Sequence, residues 1–248
     1  MTPLDWDYSA LAAHYNRRAP YAEDALDQLL HALALPAQAA VADIGAGTGR
    51  LSLPLRRRGL RVTAVEPNAA MRAVGRQDGL DYVAARGEAT GLAAASFDLV
   101  SYGSSFNVLQ PAAALREAAR LLRPGGVIAL LWNHRDLDDP QQQAVEQAIR
   151  RHVPGYGYGS RREDPAAEIA RSGLFGPVQQ VQQRFLHHTT RTDFVEGFRA
   201  HATLLRQAGA AREAVLRDID AVFGDSGQLA VPFHTRIWWA RRGTACTP

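Results

Sequence analysis

Lysine is missing from this chain: all 28 basic side chains among its 248 residues are arginine. They stand in scattered clusters, at residues 56–58, 150–151, 161–162 and 241–242, and against 25 acids the net charge is only +3. A nucleic-acid binder gathers its charge on one face or segment. The clusters therefore read as solvated faces, and no nucleic-acid partner is expected. Cysteine is nearly missing as well. Cys246 stands alone close to the chain end, which excludes an internal disulfide and suggests an incidental residue rather than a nucleophile. No apolar run approaches the roughly 18 residues of a membrane span. The opening MTPLDWDYSA carries acids and no apolar signal core, so neither export nor membrane contact is expected, and a cytoplasmic location is. The histidines at 187, 188, 201 and 234 fall at no metal-ligand spacing, so no metal site is expected.

What is present suits a packed α/β chain. Apolar residues make up 46%, enough for a full core. The stretch VADIGAGTGRLSL, residues 41–53, organises the rest. An apolar run ends in Asp43. Gly45, Gly47 and Gly49 follow at alternate positions, with Ala46 between the first two, and then a helical pattern begins. That is a strand, a tight turn and a helix N-terminus, a geometry that lets a ligand lie against bare backbone. The next apolar run, 61–65, ends at Glu66, about 21 residues after Gly45, near the interval at which nucleotide folds set a carboxylate over a ribose. An adenosine-bearing small molecule fits this set. Periodicity predicts helices over 4–34 with a break at Pro20, and strands at 40–44, 61–66, 80–85, 96–105, 127–132, 178–187 and 233–241. A helical stretch over 192–223 interrupts the path between the last two strands.

The chain resembles a class I S-adenosylmethionine-dependent methyltransferase of the small-molecule kind. The glycines are spaced GxGxG after an acid-ended strand, rather than the dinucleotide GxGxxG. Phe97 and Asp98 before an apolar pair, the LLRPGG turn at 121–126 and WNHRD at 132–136 follow in family order. The resemblance covers residues 10–135 closely and the remainder loosely. It implies an α/β, Rossmann-like sheet of seven strands with helices on both faces and a helical lid. It implies S-adenosyl-L-methionine as cofactor and S-adenosyl-L-homocysteine as product. Asp43, Gly45, Ala46, Gly47 and Gly49 would then face the amino-acid part of the cofactor, with Arg18 on its carboxylate. Glu66 would hold the ribose, and Pro67 and Met71 would flank the adenosine, although a lone methionine on a helix is more often core. Glu88 would accept the adenine amino group and the Ala89 N–H would serve a ring nitrogen. Thr90 departs from the usual second acid. Tyr102, at the exit of the fourth strand, would face the cofactor.

On the acceptor side the same reading collects Tyr15, Ser104, Asn107, Trp132, Asn133, Tyr156, Tyr158 and His201. Tyr15 and Tyr21 would pack near the sulfonium, or simply anchor a helix. Asn107 stands where many relatives carry a histidine, and asparagine is no base near neutral pH. His134 is the best-placed histidine for proton transfer, or else a hydrogen-bonded loop residue. Tyr156 and Tyr158 would wall a planar substrate, or belong to a solvated connector. His201 would point into the pocket, or be structural. The expected plan is one domain over 1–248: a helical cover at 1–35, a cofactor core at 36–135, a helical and loop insertion at 136–176, and final strands at 177–248 with a lid at about 190–224.

The implied activity moves a methyl group to nitrogen or oxygen of a small, planar or partly apolar acceptor of secondary metabolism. It works mainly by proximity, in a monomer or homodimer. Three alternatives stay open: another reaction of the cofactor such as cyclisation releasing methylthioadenosine, cofactor binding without turnover, and an NAD-dependent enzyme suggested by the glycine turn alone.

Overall fold

The computed structural model describes residues 8–243. Cys246 and the start of the expected first helix lie outside them. Seven strands form one sheet in the order β3-β2-β1-β4-β5-β7-β6. They are β1 (Ala40–Ile44), β2 (Arg61–Val65), β3 (Tyr82–Val83), β4 (Phe97–Gly103), β5 (Leu122–Arg135), β6 (Gln179–Thr190) and β7 (Gln228–Arg241). The first five run parallel, and β7 is antiparallel to both its neighbours, β5 and β6. Strand order reverses between β1 and β4, which opens a crevice at their C-terminal ends, the usual ligand site of such sheets.

β1 is buried at all five positions because helices cover both sheet faces. On one face lie α2 (Glu23–Leu33) and α3 (Ser52–Arg57), around Leu26, Leu29, Val41, Leu55 and Leu99. On the other lies α5 (Pro111–Leu121). Its Ala114, Leu115, Ala118 and Leu121 fall three to four apart and pack on Ile44, Val100 and Leu130. Before α2 comes α1 (Ala12–Tyr15), and the strap of residues 16–22 between them carries the break expected at Pro20. After β2, α4 (Ala69–Gln77) starts where the Asn68 side chain accepts the Met71 N–H, a standard N-cap.

β5 is longer than its apolar run. Pairing with β4 ends at Gly103–Leu131, but β7 continues the ladder to Arg135–Phe233. Trp132, Asn133, His134 and Arg135 are therefore strand residues rather than a loop, and a loop histidine is not what His134 is. Beyond β5 come α6 (Pro140–His152) and α7 (Ala166–Arg171). Between β6 and β7, α8 (Arg191–Arg199), α9 (Ala202–Ala208) and α10 (Arg212–Ala221) pack with α6 around Val145, Ile149, Phe194, Phe198, Leu216 and Ile219. Among the described residues no helix is long and apolar enough to cross a membrane.

Candidate active site

The crevice at the ends of β1 and β2 is a cleft of about 420 Å3, with Gly45, Gly47, Glu66, Pro67, Met71 and Glu88 in its walls. Gly45 is required twice over. Its φ is +66°, and a Cβ there would come within 2.5 Å of Ser105 Cβ. Gly49 lies behind the wall instead, where a Cβ would meet Leu80 Cδ1 at 2.1 Å. Its role is close packing rather than the ligand contact expected of it. The Glu66 carboxylate accepts the N–H of Gly47 (2.9 Å) on one oxygen and that of Asn68 (2.8 Å) on the other, which joins the glycine turn to the start of α4. Burial raises its pKa against these two bonds.

Glu88 stands at the other end of the cleft. One of its oxygens accepts the Gln110 N–H (3.0 Å), and the other, Oε2, makes no hydrogen bond and lies 3.7 Å from Arg86 Nε. A carboxylate oxygen in the cleft wall that makes no hydrogen bond fits an exocyclic amine. Ala89 does not complete that contact, since its N–H already donates to the Arg86 carbonyl (3.2 Å) and it is absent from the cleft wall. Thr90 gives both its N–H (2.9 Å) and its hydroxyl (2.6 Å) to Glu117, so the departure from an acid ties this loop to α5.

Asp43 is fully buried at the floor of a smaller chamber shared with Arg18, Tyr21 and Ala46. It accepts hydroxyls from Ser52 (2.6 Å) and Ser101 (2.9 Å), and burial lifts its pKa to about 6. It is therefore ionised at neutral pH and opposite in sign to an ammonium in that chamber. The Tyr21 hydroxyl meets Ser104 Oγ at 3.1 Å, and burial pushes its pKa upward, so the phenol keeps its proton. Tyr15 covers the glycine turn, 3.7 Å from where a Cβ on Gly47 would lie, and the Arg18 guanidinium sits 5.2 Å above its ring. The strap is held by Arg50, which donates to the carbonyls of Asn16 (2.8 Å) and Arg18, and by Thr48 on Asn16 (2.6 Å).

Arg18, Ser104 and Asn107 line a narrow passage with Arg161, and from it a second cavity of about 80 Å3 opens beneath α8. His134, Asn133, Tyr158 and His201 all reach that cavity. His134 Nε2 lies 2.8 Å from the Arg161 carbonyl and therefore carries the proton in that bond. Burial first, and then the cations of Arg162 and Arg161, lower its pKa to about 3. It anchors a turn and is too weak a base for the proton-transfer role. Asn133 donates to the carbonyls of Ala19 (3.1 Å) and Pro20 and accepts the Thr235 hydroxyl (2.6 Å), so its polar atoms hold the strap. The Asn107 carbonyl oxygen accepts the Trp132 indole N–H at 3.2 Å. His201 caps α9 through the Leu204 N–H (3.2 Å), and burial lowers its pKa well below the usual value.

Three aromatic residues expected at the ligand lie in the core. Tyr102 is buried on the α5 face and donates to the Ala114 carbonyl at 3.1 Å. Trp132 packs edge-on against Trp238, with ring centres 5.6 Å apart. Tyr156 is buried among α6, α8, α9 and α10 and packs against Tyr158. Conversely, Arg161 and Arg162, read from the sequence as a solvated pair, turn into the second cavity. Sequence reasoning also passed over Ser52 and Ser101, which satisfy Asp43, and Tyr8, which lines the cleft.

The protein family described as "Methyltransferase domain" matches residues 42–130, from β1 into β5. An uncharacterized methyltransferase of Mycobacterium tuberculosis is 42% identical over 130 residues, covering 52% of each chain, so this chain spans about half the length of that relative. The malonyl-[acyl-carrier protein] O-methyltransferase of Enterobacter lignolyticus is 38% identical over 188 residues, 71% of this chain and 72% of that one. Among solved structures, a protein of Anaeromyxobacter dehalogenans assigned to the type II methyltransferases aligns with a TM-score of 0.63 at 22% identity, covering 91% of this chain and 97% of that one. The [4+2]-cyclase SpnF aligns at 0.60 with 16% identity, over 96% and 95% of the two chains; at such identity the likeness is one of fold alone. With its sheet order, its glycine cleft and a relative matched over most of its length, the chain belongs to the class I S-adenosylmethionine-dependent methyltransferases.

Proposed function

We propose that the cleft at the C-terminal ends of β1 and β2 holds S-adenosylmethionine and that the cavity beneath α8 receives a small-molecule acceptor methylated on oxygen or nitrogen. The observation that carries the cofactor assignment is Glu88 in the cleft wall, whose Oε2 makes no hydrogen bond and has only the Arg86 guanidinium at 3.7 Å, an acceptor that an adenine amine would satisfy. Glu66 would take the ribose hydroxyls, and Pro67 and Met71 would flank the base. Asp43 and Arg18 would face the ammonium and carboxylate of the amino-acid part. The cofactor, when bound, supplies a methyl group already activated by a sulfonium.

The chain's own contribution is placement and exclusion of water. Tyr15 and the strap close one side of the passage, and α8 roofs the acceptor cavity. His187 also lines that cavity, but the three groups expected to take part in the chemistry are not poised to remove a proton. His134 is held neutral in a bond to backbone, Tyr21 keeps its proton, and Asn107 is engaged by Trp132. An acceptor atom that is already nucleophilic at neutral pH suits this site. The Enterobacter lignolyticus relative, named as an O-methyltransferase, favours oxygen.

Calorimetric titration with S-adenosylhomocysteine and with its inosine counterpart tests the assignment. The protein as found should prefer the adenosine form. In Glu88→Gln the amide oxygen would keep the Gln110 contact and turn an N–H toward the ligand, so the preference should shrink or reverse. Absence of heat with S-adenosylhomocysteine overturns the reading.

A further inference from the structure

The second cavity is basic beyond what its own acids balance. Five arginines line it: Arg17, Arg18, Arg135, Arg161 and Arg162. Arg17 pairs with Asp193, and Arg135 with Glu146. Among the described residues the other three have no carboxylate partner. Arg18 lies over Tyr15, Arg162 lies 4.2 Å over the Tyr158 ring, and Arg161 meets only His201 Nε2, at 3.4 Å. Arg161 also bears the cost of its position, since burial and the neighbouring Arg18 charge lower its pKa to about 10. Half-buried cations without counter-charge are costly, and a guanidinium fork matches a planar carboxylate in two bonds. Arg18 and Arg161 converge where the cavity meets the passage to the cleft, while Phe194, Phe198 and Phe233 make the opposite walls apolar.

We propose that the acceptor is a compact organic carboxylate, its anion received by the Arg161 guanidinium and its apolar body lying against the phenylalanines under α8. The proposal names the substrate class of the acceptor site and rests on the methyltransferase reading for what happens there next. His134 is a positioning residue in this scheme. Its bond to the Arg161 carbonyl fixes the turn that aims the guanidinium inward.

The test is calorimetric titration of the full chain, with and without S-adenosylhomocysteine, by butyrate, benzoate and hydrocinnamate, each against its own amide, and by phenyl phosphate. At least one carboxylate should bind ten-fold or more tightly than its amide and weaken with added salt. Arg161→Gln should lose that preference and Arg161→Lys keep part of it, while both retain S-adenosylhomocysteine affinity and a cooperative melt. Should Arg161→Gln fail to fold, Arg161→Lys carries the comparison, with the carboxylate preference reduced and the affinity for S-adenosylhomocysteine kept. Carboxylates that bind no better than their amides, variants that bind them unchanged, or a preference for phenyl phosphate would each overturn the proposal. Failure of the cofactor reading would look different: no heat with S-adenosylhomocysteine, and a carboxylate preference intact in the protein alone.

Discussion

The Glu66 carboxylate accepts the backbone N–H of Gly47 at 2.9 Å, from the end of the neighbouring strand. One side chain thereby sets the distance between the glycine turn and the β2 edge before any ligand arrives. Its second oxygen does the same for Asn68 and α4. Preorganisation of this kind spares the ligand the cost of ordering the loop.

Glu66→Ala should therefore act on both binding and folding. Leaving ribose hydroxyls and two backbone donors unpaired costs about 1–3 kcal/mol in affinity for S-adenosylhomocysteine. Calorimetry should show that loss, with a lower melting temperature of the ligand-free protein. Wild-type affinity in a folded variant would remove Glu66 from the ribose.

Asp43 makes a prediction in pH. Its carboxyl is fully buried and its pKa rises from 3.8 to about 6. Between these values the unfolded chain has released a proton that the folded chain keeps, so stability falls as pH rises through the window. The contribution is at most about 3 kcal/mol. Asp43→Asn should flatten this component, read as the difference between the denaturation free energies of the two proteins across the window. Parallel curves would show that the carboxyl is not perturbed.

His134 titrates in the opposite sense. Its folded pKa lies well below the unfolded 6.5, at about 3, so its contribution is complete above 6.5 and is lost as pH falls toward 3. His134→Gln keeps a donor for the Arg161 carbonyl and removes that acid loss. The kcat profile between about pH 5 and 9 should be the same in both proteins, because the imidazole is no base there. An acid limb present in the wild type and absent in the variant would restore His134 as a base.

β1, the glycine turn and Glu66 were legible because each is local: an apolar strand, alternate glycines and an acid at a fixed interval. Tyr102 was misread because a strand's C-terminal end has two faces. Val100 and Tyr102 point to α5, and only Ser101 and Gly103 point toward Asp43 and Tyr21. Trp132 and Asn133 divide in the same way, one into the core and one toward the strap. That division was hidden because β5 extends past its apolar run only through its pairing with β7. Arg161 was beyond local reasoning. In a loop rich in glycine and tyrosine it looks solvated, and its inward direction comes from His134 on a distant strand.

One hydroxyl, that of Thr235, accepts the Ala22 N–H at 2.9 Å and donates to Asn133 at 2.6 Å. It thus ties together segments more than a hundred residues apart, at Ala22, Asn133 and Thr235. A nascent chain emerging from the ribosome has its glycine turn long before this knot can be tied. Pairings of such long sequence separation form late and slowly. Competence to bind would then arrive only with the final strand, and a growing or truncated chain lacking it would carry the fingerprint of the family without a secured closure over it.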